Sequence, residues 1–289
     1  AYLMHTSTSP QYSIVASIDV AAAMMEAPGG TALVEESLME ALDFRRAMRK
    51  VDEEWGADWW FKVWGPTDLS EEGLEERDAW MLHANDAWHG FGNLAKNFNM
   101  LDPIKATIIT PGLDIHGDFS DAFGIPAAIV TKYLAEHGVI VEKTGLYSFF
   151  IMFTIGITKG RWNTMVAALQ QFKDDYDKNQ PLWKVLPDFV QKQPRYEKVG
   201  LRDLCEQIHA VYKANDVARL TTEMYLSDMV PAMKPTDAFA KMAHREMDRV
   251  PIEALEGRTT AVLLTPYPPG IPLLIPGEQF NKVIVNYLN

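Results

Sequence analysis

The sequence has very few of the residues that build disulfides and metal centres. Cys205 is the single cysteine among 289 residues. One thiol cannot form an internal disulfide, and a chain without disulfides suits a reducing compartment. Of the seven histidines, His83 and His89 lie six positions apart, which is not a helical metal-ligand spacing. These absences predict a cytoplasmic protein with no metal site.

Long apolar runs and an excess of positive charge are also missing. The densest apolar run, at residues 149–157, is far shorter than the roughly 20 residues of a membrane helix. The first 11 residues lack the basic start and cleavage pattern of a signal peptide. The formal net charge is −12, whereas nucleic-acid binding needs clustered lysine and arginine. We therefore predict no membrane and no nucleic-acid partner, and the acidity suits a cationic substrate.

The composition is that of a globular protein with a substantial core. Hydrophobic residues make up 47% of the chain and charged residues 23%, which is ordinary for a folded domain. Six of the eight tryptophans lie between residues 55 and 88. Because no basic groove accompanies them, they indicate a core or a subunit interface rather than a stacking platform for bases.

Apolar periodicity predicts helices and strands in alternation. The predicted strands cover residues 101–112, 139–143 and 148–155, and the predicted helices cover residues 13–25, 31–51, 126–137, 158–176, 201–215 and 235–245. The first of these helices is apolar throughout, which predicts that it is buried. This order predicts an α/β layer packing that becomes α+β towards the C-terminal end.

Three polar segments are candidate sites. The run His5-Thr6-Ser7-Thr8-Ser9-Pro10 places four hydroxyls just before a helix, which suits a phosphate or an ordinary helix cap. Glu142 follows a predicted strand, where it can hold a cationic group or pair with Lys143 at the surface. The segment Gly90–Ala95 matches a loosened GxGxxA, but no strand precedes it, so a turn is the better interpretation.

The stretch LTPYPPGIPLLIPGE, residues 264–278, contains five prolines and two glycines between apolar residues. Proline fixes φ and reduces the conformational freedom of the unfolded chain. The stretch therefore predicts a rigid, buried connection with strand-like flanks rather than a flexible linker.

Four long segments together resemble the bacterial ornithine/lysine/arginine decarboxylases. They read HTSTSPQYSIVASIDVAAAMM, LDPIKATIITPG, FGIPAAIVTKYLAEHGVIVEKTGLYSFFIMFTIGITKG and LTPYPPGIPLLIPGE. The segment around VEKTG is similar to the lysine-decarboxylase branch, with arginine decarboxylases as the near alternative. The resemblance implies the C-terminal portion of a pyridoxal-phosphate enzyme with the aspartate aminotransferase-like fold (fold type I).

The resemblance also implies domains and site residues. Residues 1–26 would end the large cofactor-binding domain, residues 27–179 would form a small α/β subdomain, and residues 180–289 would form a C-terminal domain. Ser7 and Thr8 match hydroxyls that reach the cofactor phosphate across a dimer, and this chain has Ser7 where many relatives have threonine. Glu142 matches the acid near the distal cation of the substrate, with Lys143 and Thr144 beside it.

One expected residue is absent. Family members hold the cofactor as a Schiff base on a lysine that follows a histidine, and no lysine in this chain follows a histidine. We therefore expect the Schiff-base lysine upstream, in a longer chain, and no catalytic residue within these 289 residues.

For the whole enzyme, the resemblance implies decarboxylation of lysine to cadaverine, or of arginine to agmatine, in acid resistance or polyamine supply. It also implies a homodimer that assembles into a decamer. A second hypothesis is a non-catalytic, truncated partner of such an enzyme. Retention of Glu142 and of the hydroxyl run argues against the second hypothesis.

Overall fold

The computed structural model describes residues 9, 11–66, 76–267 and 270–289. The strands in this part of the chain are β1 (Lys62–Val63), β2 (Lys105–Ile109), β3 (Lys143–Thr144) and β4 (Ser148–Met152). The helices are α1 (Tyr12–Met24), α2 (Gly29–Trp55), α3 (Ala127–Glu136), α4 (Lys159–Asp177), α5 (Leu182–Val185), α6 (Pro187–Lys192), α7 (Leu201–Ala214), α8 (Val217–Leu226), α9 (Pro235–Ala243) and α10 (Lys282–Leu288).

Internal contacts divide the chain into two compact units. Unit 1 contains Ala1–Thr107 and Ile151–Ala167, and unit 2 contains Ile108–Phe150 and Ala168–Asn289. The four strands follow the order β1-β2-β4-β3 in one sheet. The domain boundaries expected from the sequence differ from this division and stay a prediction.

Helix α1 lies in unit 1 and is exposed on all sides. The predicted helix over residues 13–25 is confirmed, but the prediction that it is buried is wrong for this chain, since α1 has no buried residue. Large apolar side chains such as Ile14 and Ile18 are 54% and 65% exposed. A helix that is apolar on all sides is typical of a buried position, and the described part of this chain leaves α1 uncovered.

Helix α2 carries the core of unit 1. Ala41, Phe44 and Met48 are buried on one face, at the three- and four-residue spacing that the sequence predicts for residues 31–51. The Phe44 ring packs 5.3 Å from Phe153 and 6.0 Å from Trp162, measured between centroids. The Trp162 indole donates a 2.6 Å hydrogen bond to Glu40 of α2.

The tryptophan-rich segment contributes to this core, as the sequence predicts. Trp59 and Trp80 are 3% and 2% exposed. The Trp59 indole donates to the Phe61 carbonyl at 2.6 Å, and the Trp64 indole donates to the Trp88 carbonyl at 2.7 Å. The buried Trp59 and the half-buried Trp64 therefore each give their polar N–H a partner, as buried tryptophans generally do.

Unit 2 contains α3 and the C-terminal half of α4. Tyr133 of α3 packs against Phe172 with ring centroids 5.3 Å apart, and its hydroxyl donates to Asp175 at 2.8 Å. Glu136, at the end of α3, accepts from the amides of Asp188 and Phe189 at 3.1 and 3.0 Å. Those amides open α6, so the Glu136 carboxylate satisfies donors that a helix start leaves free.

Burial raises the pKa of several tyrosines of unit 2. The pKa values of Tyr133 and Tyr147 lie far above the ordinary value, and burial raises the pKa of Tyr176 to about 12. A raised pKa means that the folded state keeps a proton that the unfolded chain loses. The stability that this difference supplies is complete below pH 10 and is lost as the pH rises towards 12.

We expect the Tyr176→Phe variant to lose less stability than the wild type as the pH rises from 10 to 12. Between pH 10 and 12, the urea midpoint of the wild type should fall more steeply than that of the variant, because only the wild type releases the Tyr176 proton on unfolding. The measurement is the urea midpoint at a series of pH values, with tyrosinate absorbance recorded in parallel. Equal alkaline slopes in the two proteins would contradict the expectation.

The C-terminal half of α7 and the loop before α3 meet in a tightly packed cluster of unit 2. The Tyr147 hydroxyl lies 2.5 Å from His209 Nδ1, and His209 Nε2 lies 3.0 Å from the Ser120 carbonyl. A carbonyl only accepts, so Nε2 carries the proton and Nδ1 accepts from Tyr147. A Cβ at Gly124 would stand 2.0 Å from His209 Nδ1, so only glycine fits there.

The C-terminal part of unit 2 has its own small core. Its buried residues are Met224 of α8, Leu273, Leu274, Phe280, and Ile284 and Val285 of α10. Asn281 begins α10, and its side chain accepts from the Ile284 amide at 2.9 Å. This core holds the base of the proline-rich loop.

Candidate functional site

The hydroxyl run near the start of the chain is largely outside the described residues. Ser7 and Thr8, the two residues predicted to bind the cofactor phosphate, both lie there. Ser9 is described and is an exposed residue at a bend shortly before α1. The assignment of Ser7 and Thr8 therefore stays a prediction.

Glu142 lies directly before β3 on an exposed segment of unit 2. Its amide donates to the Phe150 carbonyl at 2.9 Å, which continues the antiparallel register in which Lys143 pairs with Phe150 and Thr144 with Phe149. The side chain is exposed. Within the described part of the chain, its carboxylate has no ion-pair partner, so it is available to a cationic ligand.

Tyr267, on the proline-rich loop, contacts this segment. The Tyr267 hydroxyl donates to the Glu142 carbonyl at 3.3 Å. The Lys143 ammonium lies 5.9 Å from the centroid of the same ring, within reach of a cation–π contact. Tyr267 was not predicted as a site residue, although it lies within the proline-rich stretch of residues 264–278.

The base of the proline-rich loop is fixed and its tip is exposed. Leu264 and Leu274 form an antiparallel bridge, with the Leu264 amide donating to the Leu274 carbonyl at 2.9 Å. Leu274 is fully buried, whereas Tyr267 and Ile271 are 62% and 56% exposed. The prediction of a buried connection is therefore right for the base and wrong for the tip, where the chain turns outward at Gly270 with φ of 78°.

Thr144 lies beside an open groove of about 390 Å³ between α3 and the segment that leads into β3. The Thr144 hydroxyl donates to the Thr131 hydroxyl at 3.2 Å. Other groove residues are Ala128, Lys132, Ala135, Ile140 and Val141. Two of the lining residues, Val141 and Thr144, flank Glu142 in the sequence. An apolar groove of this kind suits an aliphatic chain.

The other polar segments behave as the simpler interpretations predict. His137 ends α3, where its Nδ1 lies 2.8 Å from the Tyr133 carbonyl. Gly90 and Gly92 lie in turns and bends rather than between a strand and a helix. In the described ranges, no group of three potential ligands is placed to hold a metal ion. No helix in those ranges is long and apolar enough to cross a membrane.

Comparisons with known proteins define the class to which this mixed helix-and-sheet chain belongs. Residues 1–161 match the Orn/Lys/Arg decarboxylase major domain, and residues 218–289 match the Orn/Lys/Arg decarboxylase C-terminal domain. The chain belongs to the Orn/Lys/Arg decarboxylase family.

Individual relatives cover the whole chain. It is 49% identical over 293 residues to a lysine decarboxylase of Pseudomonas aeruginosa, a match that spans 100% of this chain and 39% of the relative. It is 37% identical over 309 residues to the biodegradative arginine decarboxylase of Escherichia coli, spanning 100% of this chain and 41% of that relative. The chain thus spans about two fifths of the length of these relatives.

Solved structures agree with these matches. The structure of lysine decarboxylase A from Pseudomonas aeruginosa superposes with a TM-score of 0.90 at 49% identity, covering 99% of this chain and 39% of that one. The constitutive lysine decarboxylase of Escherichia coli superposes with a TM-score of 0.89 at 36% identity, covering 99% of this chain and 40% of that one. The predicted α/β class and the predicted closeness to lysine decarboxylase are confirmed.

Proposed function

We propose that the protein containing this chain decarboxylates a basic amino acid, with L-lysine as the substrate and cadaverine and CO₂ as products. The observation that carries the proposal is the exposed Glu142, which lies in sequence between two residues that line an apolar groove, in a chain 49% identical to a lysine decarboxylase. A carboxylate and an alkyl-sized groove together suit the tetramethylene chain and terminal ammonium of lysine.

In this proposal, Glu142 binds the distal ammonium of the substrate. Tyr267 positions Glu142 through the hydrogen bond to its carbonyl, and Lys143 is held over the Tyr267 ring. The Thr144 hydroxyl supplies a polar group at the edge of the groove. A hydrogen bond between charged groups is worth about 1.5–3 kcal/mol.

The proposed cofactor is pyridoxal phosphate. When bound, it supplies the electron sink for the carbanion that remains after loss of CO₂. The donor chemistry of Ser7 and Thr8 suits its phosphate, since hydroxyls near a helix start donate to phosphate oxygens. Both hydroxyls would act across the dimer, and the Schiff-base lysine would come from a part of the protein outside this chain.

The test is a decarboxylation assay of the full-length protein supplied with pyridoxal phosphate. L-Lysine, L-arginine and L-ornithine are compared, and the amine products are identified by mass spectrometry. We expect cadaverine from lysine as the main product. Absence of any amine from all three substrates would overturn the proposal and favour a non-catalytic partner.

Arginine is the second candidate substrate. The 37% identity to an arginine decarboxylase, again over the whole chain, favours it over other amino acids. Arginine also presents a distal cation to Glu142, but its planar guanidinium prefers a two-point contact with a carboxylate. Agmatine as the main product of the same assay would assign arginine instead of lysine.

A further inference from the structure

The loop over residues 83–91 in unit 1 closes around a buried histidine that the proposed function does not use. His89 is 6% exposed, and its side chain is fully covered. Its ring stacks on Phe91 with centroids 4.9 Å apart and meets Trp88 edge-on at 4.5 Å. The Asn85 amide donates to the Phe91 carbonyl at 2.8 Å, so the two ends of the loop are tied together around the imidazole.

The hydrogen bonds of His89 show which of its nitrogens carries the proton. The Phe91 amide donates to His89 Nδ1 at 2.9 Å. A main-chain amide only donates, so Nδ1 carries no proton and Nε2 carries the single proton of a neutral ring. Among the described residues, Nε2 of His89 is buried without a hydrogen-bond partner. The closed loop therefore holds a neutral imidazole with one N–H donor unused.

Asp86 is the charged group that faces this donor. Its Oδ2 atom lies 3.8 Å from His89 Nε2, which is beyond hydrogen-bond distance, and the Asp86 side chain is 34% exposed. The same oxygen accepts from the His83 amide at 3.2 Å and lies 3.6 Å from His83 Nδ1. One carboxylate at the edge of the loop is thus within reach of two histidines.

The rings packed against His89 carry no titratable group. They belong to Trp88 and Phe91, and Trp64 packs on Trp88 with centroids 4.8 Å apart. The Trp64 indole donates to the Trp88 carbonyl at 2.7 Å, which fixes this side of the loop. One contact further away, Arg45 donates to the Trp64 carbonyl at 3.3 Å. The aromatic side of the pocket therefore offers no partner to a charged imidazole.

We propose that His89 is a proton-operated latch, which closes the loop over residues 83–91 when it is neutral and opens the loop when it is charged. A second proton on His89 goes to Nδ1, where it would face the Phe91 amide, so an imidazolium cannot keep that hydrogen bond. A cation is unstable in a covered, aromatic site without hydrogen-bonded partners. The charged ring therefore moves out to water and to the Asp86 carboxylate, and it releases the Phe91 amide.

Opening takes up a proton, and this fixes the direction of the pH dependence. The open loop binds one more proton than the closed loop, so the equilibrium constant for opening rises as the pH falls. Histidine changes its charge between about pH 5 and 8. The loop should therefore be closed towards the upper end of this range and open increasingly towards the lower end.

Hydrogen exchange of the Phe91 amide in the full-length protein tests this proposal. Exchange rates are measured at residue resolution by mass spectrometry between about pH 8 and about pH 5, in the wild type and in His89→Asn. The asparagine carbonyl can accept from the Phe91 amide but does not titrate. Dividing the wild-type rate by the variant rate at each pH removes the intrinsic pH dependence of exchange. We expect this ratio to rise about tenfold from pH 7 to pH 5.

Further variants identify the sensor. Asp86→Asn should reduce the rise, because the imidazolium of the open loop loses its carboxylate partner. His83→Gln should keep the rise, as should His244→Asn at an exposed position of unit 2. If His89→Asn does not fold, exchange rates of an unstructured peptide of the same sequence supply the intrinsic correction. A ratio that stays constant with pH, or an acid response that disappears in His83→Gln, would overturn the proposal.

Discussion

Glu142→Gln should lower kcat/KM for L-lysine by about 10- to 100-fold, the loss of a charge-assisted contact worth about 1.5–3 kcal/mol. The amide keeps the size of the side chain and removes its charge. The distal ammonium lies far from the bond that breaks, so the contact is equal in the ground state and the transition state. The loss should therefore appear mainly in KM, with kcat little changed.

Norleucine, used as a comparison substrate, tests whether the loss in Glu142→Gln depends on the charge of the substrate. It has the carbon chain of lysine without the terminal ammonium, so Glu142 gives it no electrostatic advantage. The ratio of kcat/KM for lysine to that for norleucine should fall in Glu142→Gln and recover in part in Glu142→Asp. Glu206→Gln, at an exposed position on α7, is the control. An equal loss for both substrates would show that Glu142 acts on structure and not on the ammonium.

Gly124→Ala should destabilise unit 2 by about 2–4 kcal/mol, the range of a serious overpacking or disruption of a buried polar contact. The added methyl would stand 2.0 Å from His209 Nδ1. His209 cannot move away without loss, because Tyr147 and the Ser120 carbonyl hold its two ring nitrogens. The measurement is urea unfolding followed by tryptophan fluorescence and by hydrogen exchange of α7.

Two variants separate the steric clash from a general effect of removing glycine. Gly160→Ala, where an added methyl meets nothing within 4 Å, should be neutral or slightly stabilising, because alanine favours a helix. Gly124→Ala combined with His209→Ala should lose less stability than the two single changes together, since the second change removes the clashing ring. Strictly additive losses of stability in the double variant would contradict a steric clash between residue 124 and His209.

Helices were predictable here because their periodicity is local. Helices α2, α3, α4 and α7 occupy nearly the ranges that apolar spacing predicts. Gly138, predicted to end α3, has φ of 79° two residues after the last helical residue. Each of these signals is contained in a few neighbouring residues, so no distant contact is needed to interpret it.

The predicted strands are longer than the observed ones, because an apolar run does not show where the backbone leaves the sheet and forms local hydrogen bonds. Of the predicted strand over residues 139–143, only Lys143 lies in β3, since the Val139 amide bonds back to the Leu134 carbonyl and closes α3 instead. The predicted strand over residues 148–155 ends at Met152, before a turn closed by the bond from the Ile157 amide to the Thr154 carbonyl.

The candidate site was predictable only in part. Glu142, Lys143 and Thr144 are neighbours in sequence, and the resemblance identifies them together. Tyr267 joins them through a hydrogen bond across 125 positions of the chain, and neither composition nor periodicity gives such a pairing.

The exposed apolar surface of α1 predicts how this part of the protein would behave if it were produced without the rest of the protein. Tyr12, Ile14 and Ile18 are more than half exposed. An exposed helix of 13 residues that is apolar on all sides would bind chaperones that hold incompletely folded chains. Produced by itself, the segment would bind hydrophobic dyes and precipitate on concentration. Truncation screens should therefore treat the apolar surface of α1 as a solubility liability from the outset.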